Sequence, residues 1–365
     1  MNLFLTIMLL FVPLAAGYFI YGFFLKKFFC LDDSRKTPAH TLRDGVDYEP
    51  THKIYLLGQH LSAIAAAGPI VGPILAGLWF GWGPAILWIV VGGIFVGGVH
   101  DMSALIASIR HEGKSIAEVV KAHMPRRAFI AFLIFLWFSL MYIITAFTDI
   151  TVNTFVDPVN GGKVASSSMM YLGLAVIMGI AVKRFKLNLT LATAIFAPLI
   201  LLCIYAGNWL PLQLPILPGL DARQLWNLLL LGYCFIASLI PVWLLLQPRG
   251  YMGGFFLAGT VFVSFIGIAA GSIFGGLRVV YPAFISWQNP AGLPMFPLLF
   301  ITIACGACSG FHALVASGTT SRQLDKETDA APVGYGGMLL ESVVAIIALA
   351  TLMVLGAGQV NSLKD

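Results

Sequence analysis

Residues 60–83 read HLSAIAAAGPIVGPILAGLWFGWG, an uncharged, apolar stretch that nonetheless carries two prolines and five glycines. Proline removes a backbone donor and collides with the preceding turn, and glycine loosens a helix. Within a bilayer no water is at hand to satisfy the freed backbone groups. A break there is tolerated only where protein buries it or a wet cavity borders it. The stretch therefore raises two questions: whether its surroundings are membrane, and what the break serves.

The first is settled by composition. Of 365 residues 59% are hydrophobic and 10% charged, with a mean hydropathy of +0.91, against about 25% charged in soluble domains. About ten apolar runs recur, each near the roughly 20 residues that span a bilayer as a helix and too unbroken for barrel strands. We expect an all-α integral membrane protein, a single polytopic domain over residues 1–365, with helices near 3–25, 54–79, 84–109, 128–155, 167–182, 187–207, 224–247, 253–277, 295–318 and 335–357. The first run has no basic start, exceeds the length of a signal-peptide core and has no small-residue cleavage site before Lys26, so it is read as a helix that stays.

The net charge is +5. The basic residues are spread over short loops rather than one face, which argues against nucleic acid. With the N-terminus outside, four of the 21 Lys and Arg (Lys163, Arg223, Arg278 and Lys364) fall outside and the remaining 17 inside. Such a bias marks the cytoplasmic loops and puts both chain ends outside. Residues 114–125, KSIAEVVKAHMP, carry a capping box at Ser115 and Glu118 and stop at Pro125, which predicts a short interfacial helix on the cytoplasmic side. The mixed-sign loop 26–53 is expected to be an ordered connector. Four of the five cysteines lie in apolar runs. Cys305-x-x-Cys308 has no second pair, so it is read as helix packing, and no metal or cofactor is expected.

The break at 65–73 has two uses. Its freed carbonyls could coordinate a cation and its new helix N-terminus a carboxylate, or Gly68 and Gly72 could simply form a packing face. A second interruption follows five helices later, in residues 235–254, FIASLIPVWLLLQPRGYMGG, at Pro241 and Pro248. Broken helices at matching positions with opposite orientation point to an inverted repeat and a transport site. Helix 3–25 would precede a first repeat, 54–207, and an incomplete second repeat, 224–357, that lacks its last helix. The run 298–324, LLFITIACGACSGFHALVASGTTSRQL, adds small residues and puts Ser309 and His312 on one face. Other ionisable residues inside apolar runs are His60, His100, Asp101, Asp149 and Glu341. Asp101 precedes Arg110 by nine residues, about 13 Å of helix, which places it near the midplane. Intramembrane acids and histidines act as proton relays or as plain inter-helix hydrogen bonds. Asp149, at the outer end of its helix, is expected to be solvated.

These motifs bring the chain close to a known family. DGVDYEPTHK, AGPIVGPILAG, GGVHDMSALIASIRHEGKSIAEV, IPVWLLLQPRGYM, FPLLFITIACGACSGFHALVASGTT and GYGGMLLESVVAIIAL together resemble the carbon starvation family of CstA-type membrane transporters. The resemblance implies a multi-pass protein of the bacterial or archaeal inner membrane, associated with uptake of peptides and of pyruvate, in the superfamily built on the LeuT-type five-plus-five repeat. Family chains commonly continue beyond GYGGMLLES, so the expectation is a short natural form, a split protein whose companion chain supplies the missing helices, or a truncated reading frame.

The expected function is secondary-active uptake of pyruvate or a short peptide, coupled to H+ or Na+. Substrate would meet Ala67, Gly68, Pro69, Gly72, Pro241, Trp243, Ser309 and His312. Coupling would rest on His60, Asp101, Ser309, His312 and Glu341, with Ser309 and carbonyls near Ala67 as the sodium option. A membrane nutrient sensor is the first alternative, although no output domain accompanies it. The second is an intramembrane enzyme with a His/Cys metal site, although Cys305, Cys308 and His312 do not share one helical face.

Overall fold

A computed structural model describes residues 2–214, 219–241, 243–356 and 359. Among these the regular structure is helical, with isolated bridges in place of strands. In chain order the helices are α1 (Leu3–Phe28), α2 (Lys53–Ile64), α3 (Gly68–Phe80), α4 (Trp82–Arg110), α5 (Arg126–Phe155), α6 (Gly161–Arg184), α7 (Leu189–Gly207), α8 (Ala222–Leu239), α9 (Leu246–Phe274), α10 (Met295–Thr302), α11 (Ala304–Ala307), α12 (Phe311–Gly318) and α13 (Glu327–Met353). Seven described helices are long and apolar enough to span a bilayer, or eight if α2 and α3, bent by 48°, form one span. The protein is therefore a multi-pass helical membrane protein.

The other two expected runs are helical but interrupted. α8 is closed at its start by a capping box between Asp221 and Gln224 and ends at Leu239, with Ile240 extended at ψ 138°. Proline forces the residue before it out of the helical region, so Pro241 lies just beyond the end of α8 and not inside a longer helix. The run 295–318 is split into α10, α11 and α12, with Cys308 extended at φ −166° and ψ 95°. α2 ends where Ala65 turns to ψ 58°, and α3 restarts with Pro69 in its first turn, where a missing N–H costs little.

Two compact units result, Met1–Val119 with Phe256–Asp365, and Val120–Phe255. In the second unit the half-exposed Asp149 pairs with Arg223 at the surface, and Phe155 packs on Trp226 with ring centroids 4.8 Å apart. α6 and α7 are joined where the amide of Leu212 donates to the carbonyl of Gly162.

The first unit is organised around α13. The apolar window of α13 is 83% buried, whereas that of α1 is 28% buried. A helix that is apolar all round belongs inside a bundle. Small residues let its neighbours close in. A side chain at Gly93 would overlap Ser342, one at Gly97 the Ala307 carbonyl, and one at Gly72 the Thr302 carbonyl. Three π-helical turns, Gly17–Tyr21, Gly93–Gly97 and Ala331–Tyr335, meet around the fully buried Tyr335. Its hydroxyl donates to the Ile94 carbonyl at 3.3 Å.

The polar connector before α2 is ordered, as expected. Asp44 accepts the amides of Val46, Asp47 and Tyr48 at 2.8, 2.9 and 2.9 Å. These bonds hold its carboxyl below the usual carboxylate range. Their contribution to order is complete above the ordinary value and is lost as pH falls through the lowered one. Only half of the Ser115–Glu118 box forms: the Ser115 amide and hydroxyl both donate to the Glu118 carboxylate at 3.2 Å, while the Glu118 amide donates to the Ser115 backbone carbonyl, and helix Ile116–His123 follows.

The glycines divide into two classes that substitution separates. Gly72→Val forces a side chain onto a backbone carbonyl and should destabilise the protein by about 1–3 kcal/mol or more. Gly173→Ala, in α6 with nothing within 4 Å of the added methyl, should be neutral or slightly stabilising. Thermal unfolding of the two variants in detergent compares them directly.

Candidate functional site

Four helices of the first unit carry ionisable side chains inward. His100 and Asp101 follow the π-helical turn of α4, His312 lies in the first turn of α12, Glu341 is midway along α13, and His60 sits one turn before the break that ends α2. Asp101, His312 and Glu341 are fully buried, and His60 is 1% exposed. Residues up to 281 positions apart in the chain thus come together in an interior of apolar helices.

Their arrangement alternates base and acid. His100 Nδ1 lies 2.8 Å from Asp101 Oδ1, Asp101 Oδ2 lies 2.7 Å from His312 Nδ1, and His312 Nε2 lies 3.1 Å from Glu341 Oε2. The His100 side chain is 35% exposed, so one end of the chain is accessible and the other is enclosed. The last step is close enough for an ion pair but too poorly aligned for a hydrogen bond. His312 Nε2 and both Glu341 oxygens are left without a hydrogen-bond partner.

His60 forms a second arm. Its Nδ1 is 2.9 Å from the Thr320 hydroxyl, which fixes the ring, while its buried Nε2 has no partner. That edge faces Gly337, where an added methyl would lie 3.7 Å from Nε2. Gly337 is one helical turn from Glu341, so both side chains address the same face of α13. Buried polar atoms without partners are few in folded proteins, and here four of them, on His60, His312 and Glu341, serve one region.

Charge balance gives this set its chemistry. Among the described residues no Lys or Arg forms an ion pair with Asp101 or Glu341. With His312 protonated and Asp101 ionised, the three buried groups are neutral only if Glu341 carries a proton. An unbalanced charge in such a place costs several kcal/mol. A change in the charge of any one of the three groups therefore has to be balanced within the set.

The two breaks meet beside this chain. A side chain at Gly68 would strike Cys305, whose Sγ is 3.8 Å from the Ser309 hydroxyl. Gly306 faces Pro69, and its carbonyl accepts the Ser342 hydroxyl at 3.2 Å, tying the second break to α13. Of the two uses considered for Gly68 and Gly72, these contacts favour close packing. The Ala67 carbonyl accepts the amides of Ile70 and Val71 at 3.2 and 2.9 Å. Pro241 and Trp243 belong to the second unit, where Pro241 is exposed and the Trp243 carbonyl borders Gly179.

The structure adds residues that the sequence had not marked as site residues. His100 supplies the accessible end of the chain and Thr320 the anchor for His60. Glu327, 1% exposed, takes Arg110 at 2.8 Å and Arg35 at 3.3 Å. In sequence it sits in QLDKETD, which reads as an ordinary polar loop.

The family model described as "Carbon starvation protein CstA" matches residues 2–365. The chain belongs to the carbon starvation protein CstA family. It is 40% identical over 361 residues to the peptide transporter CstA of Helicobacter pylori, an alignment covering 94% of this chain and 50% of that protein. Against the peptide transporter CstA of Bacillus subtilis the identity is 38% over 346 residues, covering 92% and 56%. Against the pyruvate/proton symporter BtsT of Escherichia coli it is 37% over 338 residues, covering 90% and 46%. The chain thus spans about half the length of the curated CstA relatives it matches. No solved structure matches it.

Removing one member of the buried chain should leave its partner uncompensated. Asp101→Ala is expected to cost about 3–5 kcal/mol, and Asp101→Ala combined with His312→Leu distinctly less than the sum of the two single changes. Unfolding of the four proteins in mixed micelles gives the coupling energy. Additive losses would mean that the two residues do not act as a pair.

Proposed function

We propose that this chain carries the substrate and coupling site of a secondary-active uptake transporter of the bacterial inner membrane, which moves pyruvate or a short peptide inward together with a proton. The supporting observation is the buried alternation His100–Asp101–His312–Glu341, open at His100 and closed at Glu341. Relatives named as peptide transporters and as a pyruvate/proton symporter support the same reading.

The chemistry follows from charge. A proton arriving at His100 passes to Asp101 and on to His312 across contacts of 2.8 and 2.7 Å, and reaches Glu341, 3.1 Å from His312 Nε2, once that contact aligns into a hydrogen bond. With Glu341 neutralised the three buried groups carry no net charge, and the donor edges of protonated His312 and of His60 Nε2 receive a substrate carboxylate. With Glu341 ionised, the same pocket repels an anion. Proton and carboxylate therefore enter together, and loss of the proton expels the substrate.

In this scheme Gly68, Pro69 and Gly72 hold the α2–α3 break against the Cys305–Ser309 segment, and Ser309 and His312 line the pocket. The breaks at 65–67 and at Ile240 would start the two halves of the five-plus-five repeat. The 17-to-4 partition of basic residues supports an orientation with the N-terminus outside and the Arg110 end of α4 at the cytoplasmic face.

Purified full-length chain in liposomes should accumulate pyruvate or a dipeptide when the outside is made acidic, and should not respond to a sodium gradient alone. Glu341→Gln should retain counterflow exchange of substrate while losing gradient-driven accumulation by about 100-fold or more. Accumulation by the unaltered chain that ignores the pH gradient would overturn proton coupling. Accumulation that instead follows sodium would move the coupling role to Ser309.

A further inference from the structure

A second charged centre lies at the opposite end of α4 from its start, nine residues beyond Asp101. There a cleft of about 500 Å³ is bounded by Ile109, Arg110, Arg35, Lys36, Glu112 and Glu327. Its acids are already neutralised. Glu327 takes Arg110 Nε at 2.8 Å, Arg35 at 3.3 Å and the Asp32 amide at 2.8 Å, and Glu112 takes Lys114 at 2.8 Å. Arg110 is fixed further by donating to the Phe29 carbonyl at 2.6 Å. The cleft retains unspent positive charge. Lys36 is exposed and takes part in no ion pair among the described residues, and the Arg35 side chain is 50% exposed and uses only its Nη1.

The surroundings specify the ligand. The Phe29 carbonyl that holds Arg110 closes α1, and the outer face of α1 leading to it exposes Phe19, Ile20, Phe23, Phe24 and Phe28 at 55% to 73%. In a spanning helix that face meets acyl chains. Lys27, the last basic residue of α1, holds its ammonium over the Phe23 ring at 4.5 Å from the centroid, a cation–π contact at the end of that apolar face. The cleft is thus at headgroup depth and continuous with a lipid-facing surface. An arginine fork and a lysine point charge are the usual partners of a phosphate, and basic recesses beside spanning helices hold anionic headgroups.

We propose that this cleft binds the phosphate headgroup of an anionic phospholipid, of the phosphatidylglycerol class, whose acyl chains lie along the outer face of α1. Lys36 and the free edge of Arg35 hold the phosphate. The Glu327 pair keeps Arg35 and Arg110 in place behind it, and the bound lipid secures the connector before α2 to the membrane.

The test uses the full chain purified in a neutral detergent. Phosphatidylglycerol, phosphatidylcholine and inorganic phosphate are added separately, bound lipid is counted by native mass spectrometry, and unfolding temperature is followed in parallel. Phosphatidylglycerol alone should be retained and should raise the unfolding temperature. Lys36→Ala should weaken its binding about fivefold and Lys36→Glu by more, without altering unfolding in the absence of lipid. Arg35→Ala should act in the same direction. Equal retention of the two lipids would overturn the proposal, as would unchanged binding in both Lys36 variants. Stabilisation by inorganic phosphate equal to that by phosphatidylglycerol would assign the cleft to a soluble phosphate and overturn the lipid.

Discussion

The structure depends on keeping a carboxylate charge-balanced in a place that water does not reach. Asp101 is fully buried and spends one oxygen on His100 and the other on His312, while His312 turns its far edge to Glu341. Three helices and one broken segment must stay in register for these contacts to persist. The small residues of the first unit secure that register. Gly93 and Gly97 bring α4 against Ser342 and Ala307, Gly337 leaves room for the His60 ring, and Gly72 accommodates the Thr302 carbonyl. A side chain at any of these positions would push apart the helices that hold the charges.

The breaks have meaning within the same constraint. A continuous helix through 295–318 would place His312 wherever its helical phase dictated. The interruption at 308–310 lets α12 begin afresh, so that His312 lies in a first turn and reaches both Asp101 and Glu341. Likewise the interruption at Ala65 ends α2 just after His60, whose ring is then oriented by Thr320. Prolines and glycines that look misplaced in a membrane span position the polar groups it contains.

Much of this was legible in the sequence because the membrane removes alternatives. Apolar runs of spanning length gave the helices, and the rarity of ionisable groups in them singled out His60, Asp101, His312 and Glu341. What could not be read was pairing. Helical periodicity relates residues three or four apart, whereas Asp101 and His312 are 211 positions apart. Phase across a break is also invisible to periodicity, which is why 295–318 looked like one helix and Pro241 looked like the centre of another. Glu327 escaped notice because its burial is produced by Arg35 and Arg110 from distant segments. Asp149 is half exposed, as expected, and its ion pair with Arg223 was likewise invisible because the two lie 74 positions apart.

The central claim is that Glu341 exchanges a proton as substrate enters and leaves. The direct measurement is the pH change on adding pyruvate or a dipeptide to the full-length chain in weakly buffered detergent solution, followed with a pH-sensitive dye. Net proton uptake is expected with substrate binding in the unaltered chain and none in Glu341→Gln. Substrate binding with no proton uptake, or with the same uptake in Glu341→Gln, would contradict it.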